Sequence, residues 1–466
     1  MSSPIETIPR NGGLPIKFFL TPEMMPDKET LAQLEQLASV YGLAHHVAVL
    51  PDIHRKIRNL SPTGTAIAAR NMLVPRAVDT GICCGMRMVR TDIDVRDLTA
   101  PLLDELFAEL MATIPVLEHA QDVLTSEDVA DILVHGGKWS QRKFGLSDEE
   151  MDCIEDRGTM PTDTTDAETI LASVPDRPKK KGRRCFGTLG NGNHFLELQE
   201  IVEVIDRDIA KRLGLSEGKA IFMLHTGSRS VGSKTTKEYL EELEKKFPCG
   251  RSLPSPNGSP IWSMPADTEE GIKFARAITA ASNFGFANRI AITEKLRAAV
   301  RKTLRDESLQ MPLLYDCAHV SIKREQWNGE KLWIHRNGGS RALPPSHMKD
   351  HPIFSQTGQP VPIPASMGHD SFIGVADERT VETFFSVNHG AGRVMDKPEA
   401  MARFTEMQIE QEMRDKHIRL YRYGSDNIAE QAPSSFKDIS RVIRAMSALS
   451  LARPVVRLRP VAVLKG

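Results

Sequence analysis

The stretch "GTLGNGNHFLEL", residues 187–198, places Gly187, Gly190 and Gly192 just ahead of Asn193, His194 and an apolar run. A turn of this kind lets a ligand or a second backbone come close, because no side chain stands in the way. Four other stretches repeat the design. "DTGICCGMR" (79–87) carries Cys83 and Cys84 just before a strand-like run, and "LHTGSRSVG" (224–232) puts His225 at a strand end. "YDCAHVSIKRE" (315–325) puts His319 on an expected strand-to-helix turn, and "FFSVNHGAGRVMDK" (384–397) puts His389 before Gly390, Ala391, Gly392 and Arg393. Histidine and cysteine at element ends are candidate metal ligands, and mixed Cys/His/carboxylate ligation admits zinc, manganese or iron. An arginine behind a small-residue turn points to a phosphate. Taken singly, a histidine after a strand is more often a capping or hydrogen-bonding group than a ligand, and "HGAGR" also reads as a plain tight turn.

Composition excludes little. The chain has 466 residues, a formal net charge of −1, 40% hydrophobic and 26% charged residues, all ordinary for a globular protein. A balanced total does not argue against a nucleic-acid partner, since a basic groove can be local. Six cysteines in a chain this long do not make a disulfide framework. The opening residues lack the pattern of a signal peptide, and no apolar stretch is long enough to span a bilayer. The expectation is a cytoplasmic protein without a membrane partner.

Short apolar runs alternate with amphipathic stretches. Strands are expected over 46–54, broken by Pro51, over 85–94, and over the first part of 219–230. Helices are expected over 99–114, with Thr99 as cap and Pro101 in the first turn, over 266–304 as two helices meeting near Gly285, and over 398–420. "SVPDRPKKKGRR" (173–184) reads as a basic, solvated surface segment, and "PCGRSLPSPNGSPIW" (248–262) as a Pro/Gly/Ser-rich one. The spacing is not that of a zinc finger. By itself the pattern supports a metal site of one or two ions beside a phosphate-bearing ligand.

Read in order, the motifs resemble the RtcB family of RNA-splicing ligases. "LPDIH", "CGMR", "GTLGNGNHFLE", "HTGSRS", "YDCAH", "HRNGGSRALPP", "GQPVPIPASMG", "NHGAGRVM" and the terminal "VAVLKG" follow in the family's sequence. The resemblance implies an α+β fold, one large domain over 1–466, with mixed β-sheets flanked by helices around a central metal cleft. It implies a GTP- and manganese-dependent enzyme, with two manganese ions. Such an enzyme joins an RNA 3′-phosphate or 2′,3′-cyclic phosphate to a 5′-hydroxyl, in RNA repair or tRNA splicing. His389 would be the nucleophile that takes up GMP. Cys84, His194, His225 and His319 would be metal ligands. Asn193, His194, Phe195, Leu196, Glu197, His319, Pro364, Ala365, Ser366, Met367, Ser371, Gly390, Ala391, Gly392, Phe436 and Lys465, with His389 itself, would meet the nucleotide. Glu197 would read the guanine, and Phe436 stands where the family often has a stacking tyrosine.

The chain departs from the family at several points. The metal-binding aspartate expected three residues before Cys84 is Gly81, and Asp79 is the nearest carboxylate able to replace it. Val320 stands where asparagine is usual, and Asn337 where lysine is usual. The loop after "LPDIH" is more basic than the family's glycine-rich version. A noncatalytic RNA- or nucleotide-binding homologue that has lost one metal is the alternative. A metal-dependent phosphohydrolase explains less, because hydrolysis needs no histidine nucleophile beside a guanine-reading carboxylate.

Overall fold

The computed structural model describes residues 3–9, 12–56, 60–246 and 261–466. Two mixed sheets organise it. The larger runs, in spatial order, Leu313–Ala318, Gly85–Asp94, Lys219–Thr226, Phe195–Val204, Ala452–Lys465, Ser371–Ala376 and Pro360–Ile363, with Arg419–Arg422 joined in parallel to Ala452–Lys465. The smaller runs Ile5–Thr7, Ile16–Phe18, Leu43–His54, Thr63–Ala69, Glu330–Asn337 and Val320–Trp327. Each sheet has its own apolar core. Met88, Leu196, Phe222 and Tyr315 belong to the core of the larger sheet, and Phe18, Val47, Ile67 and Ile334 to that of the smaller. The α+β class and the mixed sheets are as the sequence led us to expect.

The helix Glu269–Leu304 is one element of 36 residues, not two. Thr268 caps its start by accepting from Gly271 N–H, and Arg301 and Lys302 suit the negative end of the helix dipole. Gly285 is no break. A Cβ there would lie 2.8 Å from that of Cys83, so the glycine is a notch that seats the loop carrying Cys83 and Cys84. Three residues further on, the Asn288 amide accepts from Gly187 N–H at 2.7 Å and donates to Gly227 O at 3.0 Å. Arg289 donates to Cys83 O at 2.7 Å, Thr226 O at 3.1 Å and Asp316 Oδ1 at 2.7 Å. One helix face therefore braces the loops that lead to four of the candidate site residues.

Other local expectations are corrected. The strand Leu43–His54 runs through Pro51, with its register shifting between Val49 and His54, because the irregular pairing there does not call on proline for a hydrogen bond. The 398–420 stretch is two helices, Lys397–Arg403 and Glu406–Asp415. Thr405 starts the second with a capping box to Gln408. The basic segment is the helix Asp176–Cys185, not a loop; Gly182 faces Val129 and Phe284 across a gap too small for a larger residue. His319 joins two strands, not a strand and a helix. The helix Ala100–Thr113 starts after Thr99, whose side chain makes no cap bond. The Pro/Gly/Ser-rich segment falls outside the described residues except for Ile261 and Trp262.

Candidate active site

Register explains why residues far apart in sequence meet. Gly85 pairs with Thr226 and with Ala318, and Phe195 pairs with His225 and with Lys465. Cys84, His194, His225, His319 and Lys465 thus stand at one edge of five adjacent strands. The smaller sheet presents His54, Thr63, Asn337 and Val320 at the matching end, where Val320 pairs with Asn337 and His54 with Thr63. His319 is the corner between the sheets, and its carbonyl accepts from Gly338 and Gly339 N–H.

Cys84 Sγ lies 3.3 Å from His194 Nε2 and 3.3 Å from His225 Nε2, and His225 Nε2 lies 3.2 Å from His319 Nε2. The ligand atoms of Cys84, His225 and His319 all fall within 4.8 Å of one another. His225 Nδ1 donates to Asn193 O at 2.9 Å, which fixes the tautomer and leaves Nε2 with its lone pair. Burial holds all three imidazoles neutral, with His225 pushed down to about 3, and neutral imidazole is the ligating form. A thiol and two bare imidazole nitrogens at this spacing fit a divalent transition-metal ion.

His389 follows the short strand Ser386–Asn388, which pairs with Gly339–Arg341. Its Nδ1 lies 2.7 Å from Asp52 Oδ2 and 2.9 Å from Gly338 O. Both neighbours are acceptors, so Nδ1 carries the proton and Nε2 is left bare. Asp52 was legible only as part of "LPDIH", and its role comes from this contact. The turn after His389 packs on the same strand. Gly392 has φ +76°, and a Cβ there would lie 2.2 Å from Asp52 O, so only glycine fits. Lys437 donates to Pro51 O at 3.0 Å and Ile53 O at 2.6 Å, tying the "APSSFKDI" segment to the end of that strand.

The rest of the cavity carries cationic side chains and an aromatic ring. His389, Gly390, Ala391, Gly392, Arg393, Phe436, Lys465, Asn193, His194, Phe195, Glu197 and the segment Pro364–Met367 line it together with the metal-ligand candidates. Arg393 lies over the Phe436 ring at 4.8 Å. Its Nε and Nη2 donate to Met395 O and Glu430 O, while the buried Nη1 has no partner. Burial pushes the Glu197 carboxyl up to about 7, against the opposing pull of the Gln199 amide and of Lys465. Burial also pushes Lys465 down to about 7, with Glu197 resisting. Asp426 holds the glycine loop by accepting from Gly192 N–H and from the Asn191 amide.

Two expected nucleotide contacts do not line the cavity. Leu196 alternates with Phe195 and Glu197 along the strand and points into the core. Ser371 stands behind the cavity, its Oγ accepting from Gln199 Nε2 at 3.2 Å and from Ala365 N–H at 3.1 Å. Asp79 does line it, and its carboxylate is met by Lys56 at 3.0 Å. His54, the histidine of "LPDIH", also lines it, with Lys56 and Thr63 from the loop that follows and with Gln431; no site role was expected of these four, and Gln431 sits in a stretch with no chemical signature of its own.

Cations and metal donors outnumber the carboxylates on this cavity, and one histidine is turned so that its bare nitrogen faces in. Such a lining offers a donor set that could hold a metal ion and positive charge that would suit an anionic ligand. The model of the family described as tRNA-splicing ligase RtcB matches residues 33–466. The chain is 32% identical over 463 residues to the tRNA-splicing ligase RtcB of Aeropyrum pernix, covering 96% of this chain and 93% of that one. It is 31% identical over 480 residues to that of Nanoarchaeum equitans, covering 98% and 97%. It is also 32% identical over 447 residues to that of Pyrococcus abyssi, where it covers 94% of this chain but spans only 46% of the relative's length. The chain belongs to the RtcB family. Among the described residues, no helix is long and apolar enough to cross a membrane.

Proposed function

We propose that the protein is an RNA ligase that joins a 3′-phosphate or 2′,3′-cyclic phosphate to a 5′-hydroxyl, using GTP and manganese. The observation that carries this reading is the orientation of His389. Its Nδ1–H donates to Asp52 Oδ2 and Gly338 O, so Nε2 would be free to attack the α-phosphorus of GTP. Pyrophosphate leaves as the N–P bond forms, and His389 then carries GMP. A 2′,3′-cyclic end must first be opened by water to the 3′-phosphate; that 3′-phosphate next displaces His389 and takes the guanylyl group, and the 5′-hydroxyl finally displaces GMP. Covalent transfer divides one difficult substitution into easier ones. A divalent ion on Cys84, His225 and His319 would neutralise phosphate charge. Arg393 Nη1 and the Lys465 ammonium would hold phosphate oxygens, Phe436 would stack on a ring, and Glu197 would accept from the guanine N–H groups.

The test is incubation with α-labelled GTP and manganese, followed by a denaturing gel. An acid-labile, base-stable label on the wild type, absent in His389→Ala, supports the reading. Unlabelled wild-type protein that still binds RNA would favour a noncatalytic homologue instead.

A further inference from the structure

The donor set and the cavity wall disagree with a site for two ions. Among the described residues, only Cys84, His225 and His319 form a cluster of three ligand atoms within reach of one ion. A second ion sharing the Cys84 sulfur would have to draw on His194 and an anionic oxygen. His194 is turned the wrong way for this. Its Nδ1 lies 3.1 Å from an Arg229 guanidinium nitrogen, and arginine only donates. Nδ1 is therefore the acceptor, and the Nε2 facing Cys84 carries the proton.

The carboxylates each already have a donor on one oxygen. Asp79 and Glu197 are the ones that line the cavity. Glu197 Oε1 accepts from Gln199 Nε2 at 2.6 Å. Asp79 is held by its backbone and by its side chain. Its N–H donates to Asn337 Oδ1 at 3.1 Å, and the Asn337 amide donates in turn to Pro62 O at 3.1 Å. Its carboxylate accepts from Lys56 Nζ at 3.0 Å. Gly81, next along the wall, has no side chain, and a Cβ there would meet nothing within 4 Å. The departures at 81, 320 and 337 thus fall on one wall, with Val320 and Asn337 facing each other as register partners. Among the described residues, that wall pairs its one carboxylate with an ammonium.

We infer that this site takes a single divalent ion, on Cys84, His225 and His319, and that Lys56, steered by Asp79, supplies the second positive charge to the phosphates of the nucleotide. The inference rests on the nucleotide reading given above. An ammonium has three N–H donors, and Asp79 occupies one of those of Lys56, so two remain for phosphate oxygens. His194 then acts as a hydrogen-bond donor to the thiolate rather than as a ligand.

The experiment counts metal. Full-length wild type and the double variant Gly81→Asp/Lys56→Met are equilibrated with manganese(II) chloride, desalted and measured by inductively coupled plasma mass spectrometry. One ion per wild-type chain and two per double-variant chain are expected, since the new carboxylate has room and the competing cation is gone. Lys56→Met alone should keep one ion and lose about tenfold in GTP affinity at saturating manganese, the scale of one charge-assisted contact, with Lys56→Arg restoring it. Two ions on the wild type, or unchanged GTP affinity in Lys56→Met, overturns the inference while leaving the ligase reading intact. No ion on either protein overturns the metal site itself, and the inference with it.

Discussion

Asp52 is wholly buried, and its Oδ2 lies 2.7 Å from His389 Nδ1 while its Oδ1 has no partner. A buried carboxylate that gives its best contact to one imidazole sets that ring's tautomer and angle together. The pair couples the end of one strand to the turn after another, 337 residues on in the chain. Asp52→Ala should therefore leave the fold intact and slow self-guanylylation by at least ~100-fold, within the ~10⁴-fold loss that follows when the carboxylate orienting a reactive histidine is disabled. Single-turnover labelling with GTP measures this. A rate within a few-fold of wild type would show that Gly338 O suffices.

Adjacent cysteines should behave oppositely. Cys84 Sγ stands between His194 and His225, whereas Cys83 is fully buried against Gly285 and Arg289. Cys84→Ala should lose bound metal and labelling. Cys83→Ala should keep both and lose some thermal stability, since it empties a packed position. Metal content per chain distinguishes the two, and equal loss in both would refute the assignment.

Nucleotide binding should follow a bell in pH. Below about pH 7 Glu197 is protonated and loses an acceptor for guanine, so affinity falls as pH falls. Above about pH 7 Lys465 is neutral and releases phosphate, so affinity falls as pH rises. The two groups interact, and the limbs belong to the pair. Glu197→Gln should abolish the acid limb and the preference for GTP over ATP, because an amide accepts with only one of its two ends. Binding of a fluorescent GTP analogue from pH 5.5 to 8.5 is the measurement.

Arg289 should matter for the fold and the site together. Its guanidinium reaches Cys83 O, Thr226 O and Asp316 Oδ1, all buried. Arg289→Met leaves Asp316 with Arg87 alone, at 2.9 Å. Breaking a buried pair in this way costs roughly 3–5 kcal/mol. The melting temperature should drop by several degrees and metal content should fall with it. A stable variant that keeps its metal would show that Asn288 and the Gly285 notch hold the loops unaided.

What was legible in the sequence were stretches whose chemistry is local. His389 beside three small residues, His194 after a glycine turn, and the strand at 85–94 all announce themselves within a few positions. The Asp52–His389 contact did not, because nothing near Asp52 says what faces it. Glycine's low helix propensity predicts a break at Gly285 in the helix 269–304, and only packing against Cys83 supplies the reason for a glycine inside one helix. The "KKKGRR" run looked solvated because its charges were read without Pro178, Gly182 and Cys185, which form the buried face of the same helix. Leu196 and Ser371 show the converse, motif residues whose neighbours line the cavity while they themselves stand behind its wall.

The strand-edge assembly of the site also has a consequence in time. Cys84, His194, His225, His319, His389 and Lys465 come from widely separated parts of the chain and meet only through the register of five neighbouring strands and the junction of two sheets. Contacts of such long sequence separation form late, because loop-closure entropy must be overcome before they reward it. A refolding chain should recover helical signal first, and competence to bind metal and take up GMP last. Intermediates caught midway would carry Cys84 as an ordinary thiol, open to alkylation.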